Sequence, residues 1–256
     1  MNILLTNEAG CFAPGVIELA KALSSHHRVV IVGPLSPQLN TGHWLTTASH
    51  PLRVKQYYAL NKVKIFSVSG TPCDCVTLAI DKILLSKPDL IISGICNHYS
   101  HGEFIYSSGV TAAAVEGTIQ GIPSIALSAK TRGGKDEKFF AKVARAFVGH
   151  LNFFMKNMTP NTTLNINYPE DFRPNKIICT HLTTKIADNH YDYEVNPFGK
   201  TYYWLKNAAF GFPLEALEQK GDIYNLKKGF ITVTPLKLDL TSKEAIEVVE
   251  NGGITL

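Results

Sequence analysis

The chain has 256 residues, of which 45% are hydrophobic and 18% are charged, so its composition is that of a globular protein and excludes a disordered one. Its formal net charge of +4 is small, and the lysines and arginines are scattered along the chain, which argues against a nucleic-acid partner. The apolar runs are strand-sized and too short to cross a membrane, so we expect neither a membrane span nor a signal peptide.

Apolar runs alternate with segments of helical periodicity through the first half of the chain. Strands are predicted at residues 2–6, 29–33, 64–68, 90–93 and 124–128, and helices at residues 14–25, 72–86 and 107–120. This alternation predicts βαβ units with right-handed crossovers and a parallel sheet that is covered by helices on both faces. The predicted fold class is therefore α/β, and a ligand is expected at the carboxyl ends of the strands.

The pattern changes after about residue 130. The predicted elements there are a long helix at 138–158, strands at 163–166, 176–183 and 230–235, an aromatic hairpin within 192–205, and a last helix after Ser242. We therefore divide the chain into an α/β core, residues 1–130, and a C-terminal part, residues 131–256. The C-terminal part is expected to complete the core and to carry an extension, so that the two parts form one domain.

The cysteines are odd in number and lack the spacing of a disulfide framework or a zinc motif. They are Cys11, Cys73, Cys75, Cys96 and Cys179. We expect free thiols, most of them buried, in a reducing compartment, which predicts a cytoplasmic location.

Three loops follow predicted parallel strands and are expected to converge. They cover residues 6–10, 34–43 and 93–98. A predicted helix begins near them with Ser108 and Gly109, and the first turn of a helix exposes backbone N–H groups that suit a phosphate. These residues suit a phosphate site where the loops meet, and the alternative is an ordinary serine N-cap that binds no ligand.

A series of short motifs runs along the chain. They are NILLTN at 2–7, APG at 13–15, GTPCDCV at 70–76, KPDL at 87–90, SGI at 93–95, AAAVEG at 112–117 and LNIN at 164–167. In these motifs, which span nearly the whole chain, the protein resembles the SurE family, the stationary-phase survival proteins. The resemblance implies a Rossmann-like fold with a C-terminal extension that reaches into a partner subunit.

Members of this family are metal-dependent phosphatases that act on nucleoside monophosphates. The resemblance therefore implies a 5′-nucleotidase-like phosphomonoesterase that uses Mg²⁺ or Mn²⁺ and binds a nucleoside monophosphate or phosphate. It also implies a homodimer or homotetramer, with the aromatic hairpin near Trp204 as a candidate assembly element. The alternative is a hairpin that folds back on its own subunit.

The residues at the family's metal-ligand positions depart from the family pattern. The family holds its ion with two adjacent aspartates after the first strand, a serine after the second and an asparagine after the SGI strand. The corresponding residues here are Glu8, Ala9, Leu39 and Cys96, and a shift of one residue would put Asn97 in place of Cys96. Because Ala9 and Leu39 have no donor atom, the candidate metal ligands are Glu8, Cys96 and Asn97.

By the same resemblance, Glu8 and Asn97 are the candidate catalytic residues. The candidate substrate-binding residues are Asn7, Gly42, His43, Ser108 and Gly109. Removing one group that stabilises the transition state lowers a rate by a factor of about 10²–10³. We therefore expect phosphatase activity that is weak or lost.

Two alternatives stay open on the sequence. One is a non-catalytic homologue that binds a nucleotide or phosphate, or that assembles with an active relative. The other is a softer metal such as Zn²⁺, for which the candidate ligands are Cys11, His43, Cys96, His98 and His101. Asp74 is expected to cap a helix, and Glu116 to pair with a buried partner.

Overall fold

The computed structural model describes residues 1–47, 50–58, 63–131, 136–184, 189–207 and 213–252. The strands are β1 (Asn2–Thr6), β2 (Arg28–Pro34), β3 (Val54–Tyr58), β4 (Lys64–Val68), β5 (Leu90–Cys96), β6 (Ser124–Ala129), β7 (Thr162–Tyr168), β8 (Ile177–Cys179), β9 (Asn189–Val195), β10 (Thr201–Asn207) and β11 (Ile231–Lys237). The α-helices are α1 (Pro14–Leu23), α2 (Pro72–Leu78), α3 (Gly109–Ile119), α4 (Glu137–Asn157), α5 (Asp222–Lys227) and α6 (Lys243–Asn251).

A nine-stranded sheet in the order β3-β4-β2-β1-β5-β6-β7-β11-β8 is the centre of the fold. The strands from β4 to β7 in this order are all parallel to one another. On either side of them, β3 pairs antiparallel with β4, and β11 pairs antiparallel with β7 and parallel with the edge strand β8. The predicted α/β class with a mostly parallel sheet is confirmed.

Helices cover both faces of the sheet. Ile3 and Leu5 of β1 belong to the core cluster that includes α1 and α4, whereas Leu4 belongs to the cluster that includes α2 and α3, because successive side chains of a strand point to opposite faces. Every residue of β5 is buried, as expected for a strand that is covered on both sides. The continuous apolar run in the sequence of β5 follows from this double burial.

The strand order reverses between β1 and β5. From β1 the chain crosses through α1 to β2 on one side, and from β5 it crosses through α3 to β6 on the other side. The connections that leave these two neighbouring strands therefore run in opposite directions, and they open a crevice at the carboxyl ends. Ligands bind in such crevices in open α/β sheets, so the fold positions a candidate site between the ends of β1 and β5.

Two glycines allow the backbone to pack closely at the end of β5. Gly94 has a φ of +135°, and a Cβ added there would collide with the carbonyl oxygen of Leu127. A Cβ added at Gly15 in α1 would collide with the carbonyl oxygen of Ile95. Close packing therefore explains the glycines of the SGI and APG motifs.

Several elements differ from the sequence-based prediction. The prediction misses β3, because this edge strand is largely exposed and lacks a continuous apolar run. The helix predicted at 72–86 is α-helical only to Leu78 and continues as a π-helical turn through Ala79–Ile83. The prediction also misses the short helix α5 and ends β5 before its last residues, Ile95 and Cys96.

The predicted aromatic hairpin is formed by β9 and β10, which pair antiparallel outside the main sheet. Its aromatic side chains are mostly exposed, among them Tyr193, Phe198 and Trp204. Across the described parts of the chain, we find no helix with the length and apolar character that a membrane crossing requires.

Candidate functional site

The loops that follow β1, β2 and β5 meet at the carboxyl end of the sheet. The side-chain amide of Asn7 donates to the carbonyl oxygen of Ile95 over 2.9 Å, which ties the first loop to the third. The backbone N–H of Gln38 donates to the carbonyl oxygen of Glu8 over 2.7 Å, which ties the second loop to the first. The candidate site is therefore held by contacts between loops that are far apart in the sequence.

The Glu8 side chain lies among these loops and is fully buried. Its Oε2 accepts the backbone N–H of Gly109, the first residue of α3, over 2.8 Å. Its Oε1 accepts the thiol of Cys96 over 3.1 Å. The start of a helix stabilises a negative charge. The carboxylate of Glu8 therefore accepts the same N–H group that the sequence predicts as a donor to a phosphate.

Glu8, Cys96 and His98 form a cluster of potential metal ligands, with one donor atom of each within 4.8 Å of the others. Nδ1 of His98 lies 3.1 Å from Sγ of Cys96, and Nε2 of His98 lies 2.9 Å from Oε1 of Glu8. Burial raises the pKa of the Cys96 thiol well above its usual value, and the charge of Glu8 raises it further. Without a bound ion, the thiol is therefore protonated at neutral pH and donates to Glu8.

An irregularity in β5 determines which residues reach the cluster. The register between β5 and β6 shifts between Gly94 and Cys96, and such a shift changes the side to which the following side chains point. The side chains of Cys96 and His98, which are two residues apart, both reach Glu8. Oδ1 of Asn97 accepts the backbone N–H of Thr131 over 3.0 Å.

The predicted phosphate-binding residues Gly42 and Ser108 are engaged by other groups of the protein. Oγ of Ser108 accepts the backbone N–H of Thr111 as the N-cap of α3, and it forms a 2.8 Å hydrogen bond with Oγ of Ser100. The N–H of Gly42 donates to the carbonyl oxygen of Ser107 over 2.9 Å. Gly42 thus packs against the residues that precede α3, and its hydrogen bond holds the second loop and the helix together.

His43 contacts α3 rather than the cluster. Its Nε2 lies 2.7 Å from Oε2 of Glu116, and Gln120 donates to the other carboxylate oxygen over 2.9 Å. The hydrogen bond from His43 lowers the pKa of Glu116 below its usual value. Glu116 is therefore paired as we expected, although its partner His43 is part-exposed rather than buried. Asp74 caps a helix as expected and forms a capping box with Thr71 at the start of α2.

The second loop contributes no ligand at Leu39, which the resemblance predicts for the family's serine. Leu39 is 53% exposed, and Ala9 in the first loop is partly buried; neither has a donor atom on its side chain. Thr41, which the motifs do not single out, lies closer to the start of α3. Its Oγ1 would be 3.1 Å from a Cβ placed on Gly109. Its place directly before Gly42 is the only signal in the sequence that could have indicated it.

The donor atoms of the cluster do not fit the shell of Mg²⁺ or Mn²⁺. Such ions prefer oxygen ligands, about six in number, in an octahedral arrangement. Among the described residues, this cluster offers one carboxylate, one thiol and one imidazole. Both oxygens of the carboxylate already accept hydrogen bonds from the protein, so their lone pairs are partly used.

Cys11 and His101, two of the candidate soft ligands, lie elsewhere. Cys11 is part of the core cluster beneath α1. His101 is 1% exposed, and its ring packs against the rings of Tyr99 and Phe104, with centroids 5.9 and 5.6 Å apart. Of the five soft ligands that the sequence suggests, Cys96 and His98 are the two that the described structure brings to Glu8.

His101 is expected to make the fold less stable at mildly acidic pH. Burial lowers the pKa of His101 from 6.5 to about 4, although the charge of Asp222 opposes this shift. Between these values the unfolded chain binds a proton that the folded chain does not, so stability falls as the pH falls through 6.5. From pH 7 to pH 5 we expect a loss of about 2 kcal/mol in the free energy of unfolding, measured with urea.

The matched variants are His101→Asn and His181→Asn, because His181 is partly exposed and pairs with Glu218 at the surface. The loss of stability between pH 7 and pH 5 should shrink in His101→Asn and persist in His181→Asn. An equal pH dependence in the natural chain and in His101→Asn would contradict the prediction.

Comparison with known proteins relates nearly the whole chain to one group. The family model described as Survival protein SurE matches residues 3–192. The chain is 35% identical to the 5′-nucleotidase SurE of Geobacter metallireducens, over 98% of this chain and 96% of that protein. It is 35% identical to the 5′-nucleotidase SurE 1 of Thermus thermophilus, over 97% of this chain and 96% of that protein. The crystal structure of the SurE protein from Aquifex aeolicus matches with a TM-score of 0.80 and 34% identity, covering 98% of this chain and 99% of that one.

Proposed function

The chain belongs to the SurE family of survival proteins, and we propose that it binds nucleoside monophosphates at the site around Glu8 but hydrolyses them weakly or not at all with Mg²⁺ or Mn²⁺. The relatives that are named 5′-nucleotidases match the chain over almost its full length, which supports the substrate class. The convergence of the three loops at the carboxyl end of the sheet supports the location.

The observation that carries the proposal is the position of the Glu8 carboxylate. It is fully buried, and its two oxygens accept the N–H of Gly109 and the thiol of Cys96. In a phosphatase, a divalent ion would neutralise the developing charge of the phosphoryl group and orient the attacking water. A single carboxylate that is already hydrogen-bonded, beside Ala9 and the exposed Leu39, supports little of this chemistry.

The same carboxylate limits the affinity for a phosphate. A negative charge next to the start of α3 repels an anion from the N–H groups that would otherwise attract it. The ring of His43, whose side chain is 35% exposed, is a group that can donate to a phosphate at the mouth of the site from Nδ1, because its Nε2 lies against Glu116. We therefore expect nucleotide binding that needs no metal. We also expect the negative charge of Glu8 to weaken this binding.

Calorimetric titration of the full chain with adenosine monophosphate in EDTA tests this directly. We expect binding in EDTA, and we expect Glu8→Gln to bind about tenfold more tightly because the like charge is removed while the shape is kept. The matched control is Glu218→Gln, which removes a charge from a side chain that is 67% exposed. The affinity of the control should equal that of the natural chain.

Phosphate release from the same nucleotide, with Mn²⁺ added, is the second measurement. The natural chain and Glu8→Ala should release phosphate equally slowly. If nucleotide binding required Mn²⁺ and disappeared in Glu8→Gln, Glu8 would be holding a catalytic ion and the proposal would be wrong.

The exposed aromatic hairpin supports a further part of the proposal, the association of copies into a homodimer or homotetramer. Tyr191, Tyr193, Tyr203 and Trp204 are between 59% and 68% exposed, and side chains of this kind are enriched at protein interfaces. In sedimentation velocity, the natural chain should sediment as an oligomer, and the double variant Tyr203→Ser, Trp204→Ser should shift toward the monomer. A natural chain that is monomeric at every concentration would contradict this part.

A further inference from the structure

We propose that the cluster of Glu8, Cys96 and His98 is a zinc site, which takes Zn²⁺ in preference to Mg²⁺ or Mn²⁺. The inference deepens the proposed function, because it names the ion that this site would hold, and it rests on that function only for the role of the site. Its own support comes from the geometry, the charge and the chemistry of three side chains.

The donor atoms are already close to the spacing of a tetrahedral zinc shell. Sγ of Cys96 lies 3.1 Å from Oε1 of Glu8 and from Nδ1 of His98, and Nε2 of His98 lies 2.9 Å from Oε1 of Glu8. With zinc bonds of about 2.3 Å to sulfur and about 2.0 Å to nitrogen or oxygen, neighbouring ligand atoms lie about 3.3–3.6 Å apart. Zinc binds one of the two ring nitrogens of His98, and one donor atom of each residue lies within 4.8 Å of the others, so small shifts of the side chains reach these separations.

One nitrogen of the imidazole lacks a partner in the described structure. Nε2 of His98 is buried and makes no hydrogen bond of acceptable geometry, although it lies beside the carboxylate of Glu8. A buried nitrogen without a hydrogen bond is unfavourable, and a cation shared with the carboxylate and the thiol would satisfy it. This nitrogen is an independent indication that the cluster suits a cation.

The charges of the cluster match those of a zinc complex. Zinc binding replaces the S–H bond of Cys96 by a Zn–S bond and releases one proton to solvent, without any redox step. The thiolate and the carboxylate of Glu8 together carry two negative charges, which balance the ion in a buried place. Thiolate and imidazole are soft or borderline ligands, so the set favours Zn²⁺ over Mg²⁺ and Mn²⁺.

The surroundings hold one ligand rigidly and leave a coordination position open. The N–H of Gly109 fixes Oε2 of Glu8 over 2.8 Å, so that Oε1 stays directed at the cluster, as outer-shell hydrogen bonds do in metal sites. Three protein ligands leave a fourth position for water or a phosphate oxygen. The side chain of His98 is 35% exposed, so the cluster lies close to solvent.

Cobalt is a spectroscopic probe for such a site, because Co²⁺ bound to a thiolate absorbs in the near ultraviolet. The full chain is freed of metal with EDTA, desalted and titrated with Co²⁺. We expect the thiolate absorption to saturate at one equivalent, to be abolished by one equivalent of Zn²⁺, and to persist in a large excess of Mg²⁺. No nucleotide is present, so the result is independent of whether the chain binds nucleotides.

Matched cysteine variants assign the signal to the cluster. Cys96→Ser, which keeps the size of the side chain, should lose the thiolate absorption, and Cys179→Ser, which changes an exposed free cysteine, should keep it. His98→Gln should weaken Co²⁺ binding by roughly tenfold or more. Thermal unfolding of each variant verifies that it is folded, and His98→Gln, on a part-exposed side chain, keeps the test decisive if Cys96→Ser is not.

Three results would overturn the proposal. They are the absence of the thiolate absorption with Co²⁺ in the folded natural chain, the loss of that absorption in Cys179→Ser, and displacement of Co²⁺ by Mg²⁺. A chain that binds adenosine monophosphate in EDTA and shows none of the cobalt absorption would keep the proposed function and lose the zinc site.

Discussion

A variant that carries the four oxygen ligands implied by the family resemblance is expected to release phosphate from nucleoside monophosphates, with Mn²⁺, at least about 100-fold faster than the natural chain. Its substitutions are Glu8→Asp, Ala9→Asp, Leu39→Ser and Cys96→Asn. The second carboxylate supplies the charge that balances a divalent ion, and the two neutral oxygens complete a hard shell. Phosphate release at saturating Mn²⁺ is the measurement.

The structure indicates that the chain tolerates these changes. Ala9 is partly exposed and Leu39 is 53% exposed, so neither new polar side chain is forced into the core. Cys96→Asn places an amide oxygen where a thiol now lies 3.1 Å from Glu8, and Glu8→Asp shortens that side chain by one methylene. The shorter aspartate side chain leaves room for an ion between residues 8 and 96.

The control replaces Ala9→Asp by Ala9→Asn in the same background. Asparagine has nearly the size of aspartate without its charge, so most of the gained rate should be lost. If the natural chain already released phosphate as fast as the four-ligand variant, the proposal that its metal chemistry is impaired would be wrong.

Replacing Asp222 by alanine is expected to lower the free energy of unfolding by about 3–5 kcal/mol. Asp222 is fully buried at the start of α5, and its Oδ2 accepts the N–H of Gly102 over 2.7 Å. Its Oδ1 accepts the N–H and the hydroxyl of Thr183 and the N–H of Ile223. The alanine variant leaves these buried donors without an acceptor, which is more costly than the loss of a single exposed hydrogen bond.

Urea unfolding measures this loss, with Asp81→Ala as the control, because the side chain of Asp81 is 69% exposed. The control should change the free energy of unfolding by less than about 0.5 kcal/mol. Equal midpoints for the two variants would show that Asp222 has no special structural role. The hydrogen bond between Gly102 and Asp222 also fixes the position of the segment that connects His98 to α3. Asp222→Ala should therefore loosen the candidate site.

Patterns in the sequence were sufficient for the centre of the sheet and failed at one of its edges, β3. The strands β1 and β5 are buried on both faces, so their apolar runs are continuous and predict strands without knowledge of their neighbours. The strand β3 (Val54–Tyr58) is stabilised mainly by antiparallel pairing with β4, and its exposed side chains show no such run. Pairing with a distant segment is a property of the folded chain, so the local pattern could not reveal it.

The sequence by itself determined the α/β fold and the loops that form the candidate site, and the family resemblance predicted Glu8, Ala9, Leu39 and Cys96 for the family's ligand positions. Only the tertiary structure decided that Cys96 reaches Glu8, that His98 joins them, and that Glu8 takes the N–H of Gly109. The physical reason is that one irregular residue in β5 changes the side to which later side chains point. The start of α3 is brought to Glu8 by the crossover of the chain, which no spacing along the sequence records.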